Sequence, residues 1–324
     1  MLAVCKVQPG EGGIEVCERE PREPQSGEIL VKVAAAGICG TDMQIYYWAP
    51  RMARRMDLPR VLGHEICGIV EMIGEGVRYV AVGDYVSLES HVYCGLCRTC
   101  RLGKAHLCEN TSYPGINFDG GFAEYVTVPS QIVWKVSEKI PKEVAVMMEP
   151  FGISVHASMA GSGVAGKNVL VNGCGPIGLM NVATAKALGA TKVIACDINP
   201  LRLKTAKTMG ASCVVNALEE DLNSIVNSLT ENSGVDVVIE YSGSEKGFNS
   251  CFHALAKGGD FRLVGAPPKS IPVDFTQWLT KCPSMQNIHG RLIWKTWQFA
   301  SELLLAGAVD LSPIHSHSLD IKDG

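Results

Sequence analysis

The sequence predicts two architectures in one chain: a partly closed β-barrel in the first half and a doubly wound parallel α/β sheet in the second. Three observations carry this. The first third holds many short β-type runs broken by Gly, Pro and Glu, the pattern of a barrel of short strands. Beyond the middle of the chain, strand-like and helix-like segments alternate, as βα units around a parallel sheet do. At the head of that alternation stands Gly173-Cys174-Gly175-Pro176-Ile177-Gly178, between a β-branched run and an Ala- and Leu-rich helix.

A chain of 324 residues is long enough for two cores. A net charge of -4 gives no electrostatic footprint for nucleic acid. No apolar run reaches membrane-span length, and Met1–Lys6 lacks the basic and apolar start of a signal peptide, so the expected location is the cytoplasm, with no nucleic-acid or membrane partner. The 13 cysteines are then read as metal ligands or buried thiols rather than disulfides. Cys196, Cys213 and Cys251 sit in apolar stretches and read as small core residues.

In chain order, Leu2–Val7, Ile14–Cys17 and Glu28–Ala36 read as strands, and Gly37 opens a loop carrying Cys39. The basic segment 50–60 reads as a solvated loop. Leu62-Gly63-His64-Glu65 follows, then the strand-like Ile66–Glu71, a turn at Gly74–Gly76, and strands near Val86, Phe122–Val128 and Ile132–Val136. Cys39, His64 and Glu65 bring a thiolate, an imidazole and a carboxylate from one short stretch of chain, three ligand types that suit zinc with an open coordination position. Cys94, Cys97, Cys100 and Cys108 can close a tetrahedral zinc site with no open position. An iron–sulfur cluster is the competitor, but that pattern runs on with a short gap and Cys-Pro, whereas here Glu109 follows Cys108. The expected structural zinc would fold the lobe 90–110, which has little core of its own.

In the second half, Lys142–Met148 is helical in type and Asn168–Asn172 is a buried-strand pattern feeding the glycine motif. Gly173 allows the tight turn, Gly175 lets backbone approach a pyrophosphate, and Gly178 lets the helix pack on the strand. Pro176 and Ile177 open the helix whose N-terminus would face the phosphates. Asp197 ends the next strand, about 20 residues on, where an acid takes the ribose hydroxyls and favours NAD over NADP; its plainer reading is a turn acid or helix cap. Arg202, close behind, is of the type that accepts a 2′-phosphate. Further βα units run through Leu201–Met209, Ser212–Val215, Asp221–Leu229, Val235–Glu240, Lys246–Ala256 and Phe261–Val264, and Gly265 at that last strand's end is expected to pass near the nicotinamide. Ser284–His289 reads as a last strand and Trp294–Leu305 as an amphipathic helix.

Taken in this order, Gly-Ile-Cys-Gly-Thr-Asp at 37–42, Gly-His-Glu at 63–65, the four-Cys lobe, Glu149-Pro150 and the glycine motif resemble the zinc-dependent medium-chain dehydrogenases over essentially the whole chain. Thr41–Tyr46 with Trp48, Glu89–Cys94, Trp134-Lys135 and His289–Trp297 are most similar to the threonine-dehydrogenase branch. The resemblance implies a GroES-like catalytic domain over 1–149 with 295–324, an inserted Rossmann domain over 150–294, and a homotetramer. It implies NAD-dependent oxidation of the β-hydroxyl of L-threonine to 2-amino-3-ketobutyrate, with an alkoxide formed on a catalytic zinc and hydride passed to nicotinamide. Cys39, His64 and Glu65 would bind that zinc, with Glu149 at or just behind it, and a second zinc would be structural. Thr41 would pass the substrate proton outward, His91 would line the substrate pocket or simply edge the zinc lobe, and Arg291 would join the cofactor contacts. No Cys lies near Glu149, which favours the threonine or polyol branch over simple alcohols; a sorbitol-type polyol dehydrogenase and a non-catalytic NAD-binding relative are the rival readings. Gln44 stands where threonine dehydrogenases carry a relay His, and Gln cannot titrate. Relatives also close with a further helix and strand, so an open sheet edge is expected at the end of this chain.

Overall fold

The computed structural model describes residues 1–323; Gly324, included in the first-domain assignment above, lies outside them. The chain divides into two compact units, Met1–Glu149 with His315–Gly324, and Pro150–Ile314.

The first unit runs β1 (Leu2–Lys6), β2 (Ile14–Glu18), β3 (Glu28–Gly37), α1 (Gly40–Tyr46), α2 (Pro50–Ala53), β4 (Arg60–Val61), β5 (Glu65–Ile73), β6 (Tyr85–Leu88), α3 (Arg98–Arg101), β7 (Tyr125–Pro129), β8 (Val133–Lys135), α4 (Lys142–Ala145) and the start of α5 (Met148–Met159). Two antiparallel sheets form, ordered β2-β1-β4 and β7-β3-β5-β6-β8. The β-branched content of the five-stranded sheet packs a core of Ile29, Val31, Ile66, Val70, Val86, Val126 and Val128. The loop expected around Cys39 is instead the start of α1, with Cys39 as its extended N-cap (φ −93°, ψ 158°). The basic segment is not a plain solvated loop: α2 buries Met52, and Met56 joins Ile45 and Leu62 in a second core. Cys5 and Cys17 form a disulfide where unpaired thiols were expected, because antiparallel β1–β2 pairing brings residues 12 apart in sequence to a Cα separation of 6.7 Å.

The second unit continues α5 and adds β9 (Asn168–Asn172), α6 (Pro176–Ala187), β10 (Lys192–Asp197), α7 (Pro200–Thr208), β11 (Cys213–Asn216), α8 (Leu222–Leu229), β12 (Val235–Glu240), α9 (Glu245–Ala254), β13 (Leu255–Leu263), α10 (Phe275–Lys281), β14 (Ser284–Asn287) and α11 (Lys295–Leu305). Its six parallel strands stand in the order β11-β10-β9-β12-β13-β14, the doubly wound arrangement in which the order reverses beside β9. Leu170, Ile194, Val238, Phe248, Phe252 and Phe261 fill the core between sheet and helices.

The second compact unit runs on to Ile314, so residues 295–314 pack with the sheet. α11 buries Thr296, Trp297 and Ala300, the Cβ position of Gly152 in α5 lies 3.5 Å from Thr296 Oγ1, and 312–314 packs on α6 and α7. Among the described residues no helix is long and apolar enough to cross a membrane.

Phe261 is wholly buried, its ring 4.9 Å from that of Phe248. Phe261→Ala is expected to cost about 3–5 kcal/mol, read as a lower urea midpoint with unchanged slope.

Candidate active site

Antiparallel pairing of β3 with β5 sets Gly37 opposite Glu65. That single register brings the end of one strand, running into Cys39, beside the start of the other, preceded by His64. The ligand atoms of Cys39, His64 and Glu65 all lie within 4.8 Å of one another. Glycine is required at both approaches. A Cβ on Gly37 would stand 2.4 Å from Glu65 Oε2. Gly63 has φ +90°, and its Cβ would meet the Phe122 ring at 2.4 Å.

Asp42, one turn into α1, ties the two segments together. Its Oδ2 accepts the Cys39 N–H at 2.8 Å, and its Oδ1 lies 3.9 Å from His64 Nδ1. Burial raises the Asp42 pKa, while the His64 imidazole and the backbone N–H groups of Cys39 and Gly63 pull it down. Burial also pushes the Cys39 thiol far up; the Glu65 and Glu149 carboxylates add to that, and the Thr41 N–H opposes it. A half-buried thiol among carboxylates lacks a cation. Zinc fits this donor set: thiolate, imidazole and carboxylate converge, Gly37 leaves room for the Glu65 carboxylate, and His64 Nδ1 and Asp42 Oδ1 have no hydrogen-bond partner of their own. Glu149 is buried in the first turn of α5, within electrostatic reach of Cys39 but outside the group of three.

The four lobe cysteines also converge within 4.8 Å. Cys97 and Cys94 Sγ lie 3.8 and 3.5 Å from Cys108 Sγ. The Thr99 hydroxyl and the N–H groups of Cys100 and Glu109 bring the Cys97 thiol down to about 6, whereas burial and hydrogen bonds with Cys97 and Cys108 push Cys100 up to about 12. Four thiols this close cannot all ionise unless a cation joins them. His91 lies at the root of this lobe. Its Nδ1 is 2.9 Å from Glu89 Oε1, which also accepts the His91 N–H, so the fully buried Glu89 fixes the ring. The ring stands edge-on to Tyr113.

In the second unit, Gly173 has φ +90°, with its Cβ position 2.7 Å from the Ser242 nitrogen. A Cβ on Gly178 would lie 1.9 Å from the Gly173 carbonyl oxygen, whereas Gly175 faces open space. Gly175 is the N-cap of α6, Pro176 is exposed and Ile177 half-buried in its first turn. Asp197 Oδ2 accepts the Cys174 N–H at 2.6 Å, its Oδ1 accepts the Asn199 N–H at 2.8 Å, and Arg202 is 3.9 Å away. Gly265 packs on the 241–243 turn, its Cβ position 2.5 Å from the Gly243 nitrogen. Arg291 is buried with its stem against Gly152 of α5. Sequence reasoning passed over Asp42, Glu89 and Glu240 as site residues. Asp42 lay inside a quoted motif, but nothing local marks a buried carboxylate that binds loop N–H groups.

The alcohol dehydrogenase GroES-like domain model matches residues 25–138, and the zinc-binding dehydrogenase model matches residues 176–306. The chain is 42% identical over 318 residues to an L-threonine 3-dehydrogenase of Pyrococcus horikoshii, covering 98% of this chain and 91% of that protein. It is 41% identical over 324 residues to one of Bacillus subtilis, covering 100% and 93%. A solved short chain alcohol dehydrogenase of E. coli CFT073, complexed with NADH, superposes with a TM-score of 0.91 at 29% identity, covering 99% of this chain and 92% of that one.

Gly37→Ala pushes on the flexible end of Glu65 and not on backbone. The variant is expected to fold, to swing the Glu65 carboxylate out of the group, and to weaken metal binding there by at least about tenfold, the cost of disturbing a metal site's support. Metal analysis after dialysis at buffered free zinc checks this, with the four-cysteine site as the internal reference.

Proposed function

We propose that this chain, which belongs to the zinc-dependent L-threonine 3-dehydrogenase family, oxidises the β-hydroxyl of L-threonine to 2-amino-3-ketobutyrate with NAD as hydride acceptor. The convergence of the Cys39, His64 and Glu65 donor atoms within 4.8 Å carries the reading. These three residues would hold a catalytic zinc, with Glu149 beside it, and Cys94, Cys97, Cys100 and Cys108 a structural one. A zinc ion bound there supplies Lewis acidity that lowers the pKa of a hydroxyl.

The rest is the work of the chain's own residues. Asp42 faces His64 Nδ1 and leaves Nε2 for the ligand role. Glu89 fixes the His91 ring through Nδ1 at the edge of the substrate pocket. Thr41, at the N-terminus of α1, takes the proton that leaves the substrate hydroxyl. Gly173, Gly175, Pro176, Ile177 and Gly178 admit the pyrophosphate to the N-terminus of α6. The buried Asp197 carboxylate accepts ribose hydroxyls and repels a 2′-phosphate, which selects NAD. Gly265 and Arg291 complete the cofactor contacts in this reading. A cytoplasmic homotetramer accompanies it, and light scattering on the purified protein tests the assembly.

NADH formation is expected from L-threonine and not from sorbitol; the reverse preference would sink the threonine assignment. Two zincs per chain are expected by metal analysis, one of them lost in Cys39→Ser. Gln44 supplies no titrating group at the end of the proton path, so Gln44→His is expected to raise turnover near neutral pH and to add a histidine-range limb to the pH–rate profile. An unchanged profile counts against a relay through this position.

A further inference from the structure

Lys6 is the last residue of β1 and is wholly buried. Among the described residues no carboxylate lies within ion-pair distance of it. Its ammonium donates instead to the carbonyl oxygens of Gly10, at 2.5 Å, and Gly12, and reaches the Tyr46 carbonyl at 3.4 Å. The fourth side of the charge is covered by the Trp48 ring, 5.2 Å from nitrogen to centroid. Burial lowers the pKa of this amine. An unpaired buried cation is a poor way to stabilise a fold, and a methionine of similar length would fill the space without the desolvation.

What the ammonium joins is informative. Tyr46 is the last residue of α1, and its carbonyl is one of the groups a helix end leaves without an internal partner. Gly12 N–H donates to the same oxygen at 3.0 Å, so the β1–β2 turn and Lys6 together cap the helix. The other end of α1 is Cys39, Thr41 and Asp42. The backbone of β1 meanwhile pairs with β4, Cys5 opposite Val61 and Lys6 opposite Arg60, and the Val4 carbonyl accepts the Leu62 N–H at 3.1 Å. β4 leads directly into Gly63, His64 and Glu65. One strand thus grips the segment that delivers His64 and Glu65 through its backbone, and the helix that begins at Cys39 through its terminal side chain.

We propose that Lys6 is a positioning residue for the Cys39–His64–Glu65 metal site, setting the separation between the Cys39 helix and the His64–Glu65 segment. The inference rests on the reading of those three residues as metal ligands. Without Lys6 the turn at Gly10–Gly12, whose Gly12 N–H is the remaining cap of α1, loses its anchor; the helix is then free to shift along its axis, and Cys39 moves with it relative to two ligands that β4 and β5 hold in place.

The test compares wild type, Lys6→Met, Lys6→Arg, Trp48→Leu and Cys39→Ser, each loaded with zinc and titrated with a chromophoric chelator, so that release from the two sites is followed as two steps. The step missing in Cys39→Ser identifies the site in question. In Lys6→Met that step is expected at free zinc at least about tenfold higher, the size of a lost supporting contact, with the four-cysteine step and NADH binding unmoved. Lys6→Arg, which keeps a cation, is expected to recover part of the shift. Trp48→Leu, which leaves the ammonium on its carbonyls, keeps the question open to measurement if Lys6→Met does not fold; its expected shift is about fivefold in the same direction. Wild-type release in a folded Lys6→Met, whatever its melting temperature, overturns the proposal, as does wild-type release in Trp48→Leu where that variant alone is available. A wild-type protein with no release step sensitive to Cys39→Ser overturns the ligand reading itself, which is a separate result.

Discussion

The pairing of Gly37 with Glu65 is the constraint on which the metal site depends. Two stretches of chain that arrive separately must meet with their donor atoms aimed at one point, and a strand pair allows only discrete ways of doing so. A slip of one residue would turn Glu65 to the opposite face and carry His64 with it. The core prevents the slip. Ile29 and Val31 of β3 and Ile66 and Val70 of β5 point into one apolar cluster, and a one-residue slip exposes them. The barrel's hydrophobic pattern therefore specifies the geometry of the polar site through the backbone, without any of those side chains touching a ligand. Lys6 and Asp42 then refine what the register sets, one from the far end of α1 and one from its first turn.

The two cysteine-bearing sites solve the same electrostatic problem in different surroundings. Cys39 is half-buried among carboxylates, so its thiol resists ionisation, and a cation is what the pocket lacks. The lobe cysteines are bathed in backbone N–H groups instead. Cys94 accepts from Leu96 and Cys97, and Cys108 from Cys94 and Asn110. Those donors already favour thiolate character at Cys94 and Cys97. A lobe with short helices and little apolar burial gains most from a closed tetrahedral centre, whereas the Cys39 group, with three donors, leaves a position free for chemistry.

The pattern of elements was legible because both architectures announce themselves locally. Alternating β-branched residues gave the strands of the barrel, and the sequence Gly173–Gly178 between strand and helix, with Asp197 beyond, placed the parallel sheet. What stayed hidden was long-range or unconventional. α1 starts at a cysteine cap followed by glycine, so it carries none of the usual Ser, Thr or Asp start signal and read as a loop. α10 carries a good Asp274 cap but follows a Pro-rich stretch, and no element was assigned there from the sequence. An amphipathic helix shows which face it buries and not against what, so the packing of α11 with α5 could not be read from its pattern. The Cys5–Cys17 bond depends on strand pairing, which spacing alone does not reveal.

Three buried carboxylates share one design, and of them only Asp197 was read from the sequence as a site residue. Asp42, Asp197 and Glu240 are each less than a tenth exposed, and each accepts backbone N–H groups of the loop it supports, Asp42 through Oδ2. Asp42 takes Cys39 N–H, Asp197 takes those of Cys174 and Asn199, and Glu240 takes those of Ser242 and Gly243 together with the Asn172 amide. A charge-assisted bond of this kind contributes about 1.5–3 kcal/mol, enough to hold a turn that glycine would otherwise leave loose. Among the described residues no lysine or arginine comes nearer than 3.9 Å to any of the three. The carboxylates are thus stabilised without importing a permanent positive charge. Glycine provides the close approach at 37, 63, 173 and 178, and the carboxylates provide the rigidity that glycine gives up. That division of labour is why the functional loops of both units can be tight, polar and ordered at once.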